Sequence, residues 1–384
     1  MPKVLADLRP VFVAGIGFHR YQRLSQDTTL VDLGTTAARA ALDDARVGYV
    51  DVDNVYTGTA TSGMAVSRPV LAHLGATGVS MTQIDNASAS GSSAVRLGAI
   101  AVASGVSDVT LALGVDKRLG LVNAGHHTGI PTLIGDRVLP PTHFALLAAE
   151  YMDKYDATPE QLARVAVKNH RNGSLNPFAQ RQQERSLDEV LGDRRIAGPL
   201  TRLQCCPVGE GAAAVVLVSD EAIDRLGISR ERCVQILSSA STSEELYGAK
   251  NHDAELTRKA TEIALREADI AAEKINVVEL HDAFTIEELQ YVEAMGLCAE
   301  GDGGRETERG AFDIGGRVAV SASGGLLAMG HPTGPTGVGQ IGEITRQLRG
   351  EAGPRQHPGA RYGLAHMVGL GAVCVTHVLC APRA

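Results

Sequence analysis

Apolar residues in this chain come in two patterns. Continuous runs such as Val11–Gly17 (VFVAGIG), Asp108–Gly114 (DVTLALG) and Ala212–Val218 (AAAVVLV) carry little polar alternation and read as strands buried on both faces. Elsewhere apolar positions recur every three or four residues, as at Leu30, Leu33, Ala37, Ala38 and Ala41, and predict a helix over 29–44. The first half continues with strands at 50–56 and 81–86 and a helix at 89–104. The second half has strands at 234–239 and 275–280, helices at 253–269 and 285–295, a strand-like 318–321, a helix at 334–348, and strands at 363–368 and 372–379. This alternation predicts an α/β protein with parallel sheets covered by helices. Two similar halves of about 190 residues suggest a duplicated core, split at 1–220 and 221–384.

One stretch breaks the rhythm. From about 117 to 198 the chain turns polar and rich in Arg, Gln, Asn and His, with helix-like segments at 144–155 and 159–173. It reads as an inserted loop domain, and insertions of this length often carry binding.

Composition narrows the picture. With 384 residues, 44% hydrophobic content, 43 Gly and no Trp, the core must be aliphatic and the turns tight. A net charge of −8 and the absence of Lys/Arg runs argue against a nucleic-acid partner. Six scattered cysteines with no Cys-x-x-Cys pair suggest reduced thiols of a cytoplasmic protein, with no metal site. No basic-plus-apolar leader is evident, and no apolar run approaches the ~18 residues that span a bilayer. No membrane association is therefore expected.

The candidate chemistry starts at Asp85–Ala94 (DNASASGSSA). A strand feeding a turn of small residues and then a helix lifts one side chain, here Ser88, to the mouth of a sheet, and aims a helix N-terminus at whatever binds there. The same residues also suit an ordinary helix cap. Three further segments stand at strand ends or glycine turns: Glu279–Phe284 (ELHDAF), Ser321–Gly337 (SASGGLLAMGHPTGPTG) and His366–Gly371 (HMVGLG). Ligands gather at strand ends of α/β sheets. A rigid Gly-rich loop around His331 is an economical way to place a base. Backbone N–H groups of the last turn could point into a site.

Together these segments resemble the thiolase superfamily, nearest to its sterol-carrier-type and archaeal-type thiolases and thiolase-like lipid-transfer proteins. The resemblance runs over nearly the whole chain. It rests on Asn86–Gly91, Gly114–Lys117, Ala212–Val216, His281–Phe284, Ser323–Gly325, Gly330–Pro332 and Gly369–Gly371. It implies a five-layered fold of two βαβαβαββ halves with an inserted loop domain, usually a homodimer or a dimer of dimers. It also implies acyl-CoA as substrate, no cofactor beyond the coenzyme A thioester itself, and in some members a small zinc-ribbon/OB-fold partner. Ser88, His281 and His331 take the catalytic positions, Gly369 and Gly371 the oxyanion turn, and Ser323, Gly324 and Phe284 the substrate-binding positions.

The chain departs from that pattern at one place above all. Ser88 stands where the family has its acylated cysteine, and the second family cysteine is missing, since Val368 precedes the 369–371 turn and Ala283 follows His281-Asp282. Three accounts fit Ser88: a working serine nucleophile, a site used without acylation, or a substitution introduced to trap a complex. The functions that follow are Claisen condensation or thiolysis of 3-oxoacyl-CoA, a non-catalytic acyl-CoA-binding subunit, or a carbon–carbon lyase acting on a CoA ester.

Overall fold

The computed structural model describes residues 3–117, 140–244, 252–369 and 373–382. The first half contributes β1 (Val11–Gln22), β2 (Asn54–Gly58), β3 (Ser80–Ile84) and β4 (Val109–Asp116). A small hairpin, β5 (Arg195–Ala197) and β6 (Leu200–Thr201), precedes β7 (Glu210–Ser219). The second half contributes β8 (Val234–Ser243), β9 (Val277–Glu279), β10 (Ala319–Val320), β11 (Tyr362–Gly369) and β12 (Val373–Cys380). The principal helices are α1 (Leu30–Ala45), α2 (Ser90–Ala103), α3 (Pro140–Tyr155), α4 (Pro159–Ser174), α5 (His252–Ala268), α6 (Thr285–Ala294) and α7 (Thr333–Arg349).

Ten strands form one sheet in the order β10-β9-β11-β12-β8-β1-β7-β4-β2-β3. From its centre outward each half runs first strand, fifth, fourth, second, third. The pairings also repeat. In the first half β1–β7 and β7–β4 are antiparallel and β4–β2 and β2–β3 parallel; β8–β12, β12–β11, β11–β9 and β9–β10 follow the same sequence of directions. The duplication read from the sequence is therefore a duplication of topology. The expectation of parallel sheets needs correction, because each half is mixed, antiparallel near the centre and parallel toward the edge. Runs such as β4 and β7 are buried on both faces by helices, and that burial, not parallel pairing, explains their unbroken apolar character.

The halves meet through a short antiparallel pairing of Val11–Val13 with Val234–Ile236. They fold around a central helical layer. Helix α7 packs on β4 and β7 of one half and on β9 and β11 of the other, with α2 beside it, while α1 and α5 cover the outer faces. The layers are helix, sheet, helix, sheet, helix. Close approach at the centre demands glycine: a Cβ on Gly91 of α2 would collide with the Gly334 carbonyl oxygen of α7. Helix α1 shows how local signals set an element. Thr29 and Asp32 form a reciprocal capping box at its start, and Leu33, Ala37, Ala38 and Ala41 are buried.

One carboxylate locks the halves. Asp116, buried at the end of β4, accepts hydrogen bonds from Thr59 Oγ1 (2.7 Å), the Thr61 N–H (2.9 Å), Ser62 Oγ (3.0 Å), the Ala60 N–H (3.2 Å) and the Gly334 N–H of α7 (2.6 Å). The last bond crosses from the first half to the first turn of α7, where the helix dipole favours negative charge. Asp116→Ala leaves several buried donors unpaired, so the urea midpoint should fall by the equivalent of about 3 kcal/mol or more, and a loss under about 1 kcal/mol would contradict this role.

Two buried histidines on the paired strands β11 and β12 set an acid limit. Burial pushes both His366 and His377 down to about 3. Each ring is fully buried, and for His366 the nearby His281 adds to the downward push, as Arg96 does for His377. The folded chain holds both neutral, whereas an unfolded histidine takes its proton near pH 6.5. Their contribution is complete above about pH 6.5 and is lost as pH falls from there toward 3. His377→Gln should therefore move the midpoint of acid unfolding to lower pH, followed by circular dichroism; an unchanged midpoint would count against it.

Candidate active site

The turn after β3 is built from its own polar side chains. Asp85 Oδ1 accepts from the Ala87 N–H (2.9 Å), while Ser90 Oγ accepts from the Asn86 N–H (2.9 Å) and donates to the Ala87 carbonyl (2.6 Å). These bonds hold Ala87 at φ 50°, a left-handed conformation that strains a residue with a Cβ. The outcome is Ser88 placed two residues ahead of α2 and only 7% exposed.

Ser88 Oγ lies 2.9 Å from His331 Nε2, although 243 residues separate them. The protonation of that imidazole follows from its other side. Thr336 Oγ1 donates its single proton to the Pro332 carbonyl (2.6 Å) and so must accept from His331 Nδ1, 2.9 Å away. Nδ1 carries the hydrogen, Nε2 presents a lone pair, and the Ser88 hydroxyl donates to it. Burial, reinforced by the neighbouring His281, holds His331 well below the ordinary histidine range. A neutral imidazole with its free nitrogen on a hydroxyl is arranged as a general base.

His281 stands beside it, with ring centroids 5.2 Å apart and planes 89° to each other. Its environment pushes the other way. Burial alone would pull the ring down, but Glu287, whose Oε1 accepts from Nδ1 at 2.7 Å, and the nearby Asp253 outweigh it, and the net shift is upward. Two imidazoles in contact are thus biased toward opposite protonation states, the arrangement that assigns one to remove protons and the other to stabilise negative charge. Behind them, the His281 N–H lies 3.5 Å from His366 Nδ1, and His366 Nε2 is 2.8 Å from Thr257 Oγ1.

The remaining predicted positions divide. Gly369, at the end of β11, abuts the serine turn: a Cβ there would collide with the Asn86 carbonyl oxygen and stand 3.2 Å from Ala89 Cβ. Gly371 lies outside the described residues. Ser323 faces inward, its hydroxyl and N–H both donating to Glu279 (2.6 and 2.8 Å). Gly324, at φ 105°, packs so close to α4 that a Cβ would meet the Gly173 Cα at 2.7 Å. Phe284 stacks on Phe144 of α3, with centroids 4.5 Å apart, and so joins the inserted segment to the His281 turn.

Three residues that carry the geometry were not singled out from the sequence: Thr336, Glu287 and Asp116. Thr336 sits in the same glycine-rich loop as His331, five residues on, which was the available signal. Glu287 follows Phe284 by three residues and its Oε2 accepts the Phe284 N–H (2.8 Å), as a helix-start Glu does. Asp282 belongs to the scaffold: it accepts from Asn169 Nδ2 of α4 (2.6 Å) and from the Leu326 N–H (2.7 Å).

Comparisons with known proteins identify the family. The family described as "Thiolase, N-terminal domain" matches residues 13–191, and "Thiolase C-terminal domain-like" matches residues 238–380. The acetyl-CoA acetyltransferase of Methanothermobacter thermautotrophicus is 35% identical over 97% of this chain and 99% of its own. Human sterol carrier protein 2 is 35% identical over 97% of this chain and 72% of its own. Among solved structures, the "Ltp2-ChsH2(DUF35) aldolase" superposes over all of both chains with a TM-score of 0.85 at 26% identity. With both halves matched, and with a relative aligned end to end, the chain belongs to the thiolase family.

Proposed function

We propose that the chain is an acyl-CoA C-acyltransferase of thiolase type in which Ser88 is the acylated residue. The observation that carries this reading is the Ser88 hydroxyl donating to the lone pair of a neutral His331. In the first step Ser88 Oγ attacks the thioester carbonyl of an acyl-CoA while His331 Nε2 takes the hydroxyl proton. The N–H groups of Ser88 and Gly369 hold the tetrahedral oxyanion; such donors contribute roughly 3–4 kcal/mol each in known enzymes. The C–S bond breaks, and His331 returns the proton to the departing CoA sulfur. His331, neutral again, takes the C2 proton of a second acyl-CoA whose carbonyl oxygen rests on His281. The enolate attacks the acyl-serine carbonyl, the bond from that carbon to Ser88 Oγ breaks, and His331 returns the proton to Ser88. Thiolysis of a 3-oxoacyl-CoA is the reverse.

A serine hydroxyl is a weaker nucleophile than a thiolate, so acylation is the slow step. Ser88→Cys should raise thiolysis of acetoacetyl-CoA by orders of magnitude, because a thiolate at a helix N-terminus is stabilised and intrinsically reactive. His331→Ala should remove that gain. Mass spectrometry after exposure to acetyl-CoA should find one acetyl group on the peptide containing Ser88. If the Ser88→Cys variant stays inert and unacylated, the acyltransferase reading fails.

A second reading has its own support. The described residues place no thiol where the family's second cysteine would act: Cys374 is fully buried on β12, and burial pushes it up to about 12. A retro-aldol cleavage needs no acyl-enzyme. His331 would take the proton of a 3-hydroxyacyl-CoA, the C2–C3 bond would break to release a carbonyl compound, and His281 would hold the resulting thioester enolate until C2 is protonated. The structural likeness to a solved aldolase favours it. Ser88→Ala separates the two: it should abolish acyl transfer and leave a lyase active on 3-hydroxyacyl-CoA.

Self-association completes the proposal. Among the described residues β3 ends the sheet, and residues 80–83 are exposed along its edge, with Met81 48% accessible. An open strand edge of this kind pairs readily with another chain. A homodimer through β3 is expected, with a second small protein as a further partner, as the two-part name of the solved aldolase suggests. Light scattering at micromolar concentration should give a dimer, and Thr82→Pro should give a monomer; a wild-type monomer would overturn this assignment.

A further inference from the structure

Glu287 takes no part in the bond changes just described, yet it is the carboxyl group most closely joined to them. It is 1% exposed, and three donors converge on it. Oε1 accepts from His281 Nδ1 (2.7 Å) and from Tyr291 OH (3.1 Å), and Oε2 accepts from the Phe284 N–H (2.8 Å). Such a set suits a carboxylate, which offers only acceptors. It also fixes the ring of His281: with Nδ1 committed to Glu287, only Nε2 is free to meet a substrate.

The other groups around His281 do not do this work. On its own turn, both Asp282 oxygens are engaged by Asn169 and Leu326. On β11, His366 meets the backbone N–H of His281 and burial keeps it neutral. On the α7 loop, His331 is neutral as well. Cys206, near Glu287, is held as a thiol by burial, and its N–H goes to the Ala283 carbonyl. Tyr291 stays a phenol. On α5, Asp253 acts on His281 through space, and burial raises its own carboxyl to about 7. Glu287 is the carboxyl group in hydrogen-bond contact with the ring.

We propose that Glu287 is the positioning residue that holds His281 as an imidazolium, presenting Nε2–H to the thioester oxygen, and so leaves proton removal to His331 alone. The proposal rests on the CoA-thioester reading for the identity of that oxygen; the protonation of His281 can be measured without it. It serves either direction of carbon–carbon chemistry, because both pass through a thioester enolate.

The test is a titration of the full chain labelled with ¹³C at histidine Cε1, with the His281 signal assigned from its loss in His281→Gln. Glu287→Gln should lower the His281 midpoint by about 1–3 pH units, the usual effect of a contacting opposite charge. Glu287→Asp, which keeps the charge, should recover part of the shift, and Asp253→Asn should move it less than Glu287→Gln. With acetoacetyl-CoA, kcat of Glu287→Gln should fall at least tenfold with KM within twofold, and the acid or base limb of its pH profile should follow the titration. An unchanged His281 midpoint in folded Glu287→Gln overturns the proposal; if the glutamine variant does not fold, a midpoint that falls further in Asp253→Asn than in Glu287→Asp overturns it. Because the titration needs no turnover, failure of the acyltransferase reading would show separately, as a normal shift without activity.

Discussion

The bond between the Asp116 carboxylate and the Gly334 N–H sets the geometry on which the site depends. Ser88 belongs to the first half of the chain, His281 and His331 to the second. A general base must lie within about 3 Å of the proton it takes, and a shift of about one ångström between the two halves of the sheet would break that contact. Asp116 closes the gap from the scaffold side. It gathers the 59–62 loop beside the serine turn and grips the first turn of the helix that follows His331. The absence of a Cβ at Gly91 lets the two central helices come close enough for that grip to act.

Within the site, one residue type is biased in two opposite directions, and the proposed roles follow from that. His331 and His281 are both largely sequestered from solvent, so burial disfavours charge on each. What separates them is the partner on Nδ1. A threonine hydroxyl fixes the His331 tautomer but adds no charge, and the lone pair on Nε2 stays available. A glutamate on His281 adds charge, and the same burial that penalises an isolated imidazolium strengthens the pairing. The difference between a base and an electrostatic support thus lies one atom beyond each ring.

Much of this was legible in the residues. Continuous apolar runs marked β1, β4 and β7, a small-residue turn marked Ser88, a glycine-rich loop marked His331 and a strand end marked His281. Strand direction was not legible. The apolar runs that suggested parallel pairing report only burial on both faces, and β1 pairs antiparallel with β7. The partners on Nδ1 were also hidden, since a Thr and a Glu near a helix start read as capping residues whether or not an imidazole lies above them. Ser323 shows another side of this: the resemblance implies a substrate contact there, and the fold adds a partner no sequence pattern points to, buried Glu279. Sequence pattern locates a residue on an element; it does not say which neighbour from another half of the chain will occupy its hydrogen-bond capacity.

The long separation of Ser88 from His331 has a consequence for synthesis of the protein. The first half can emerge from the ribosome and begin to fold well before His331 is made, since chains are synthesised at about 5–20 residues per second and domains fold as units. During that interval the serine turn exists without its base, and Asp116 has no helix to grip. On the proposed mechanism the hydroxyl stays inert until the second half has docked, so a nascent or truncated chain exposed to abundant thioesters would remain chemically silent. Reactivity at Ser88 would appear only with completed assembly, which makes the modification state of that one serine a reporter of whether both halves have come together.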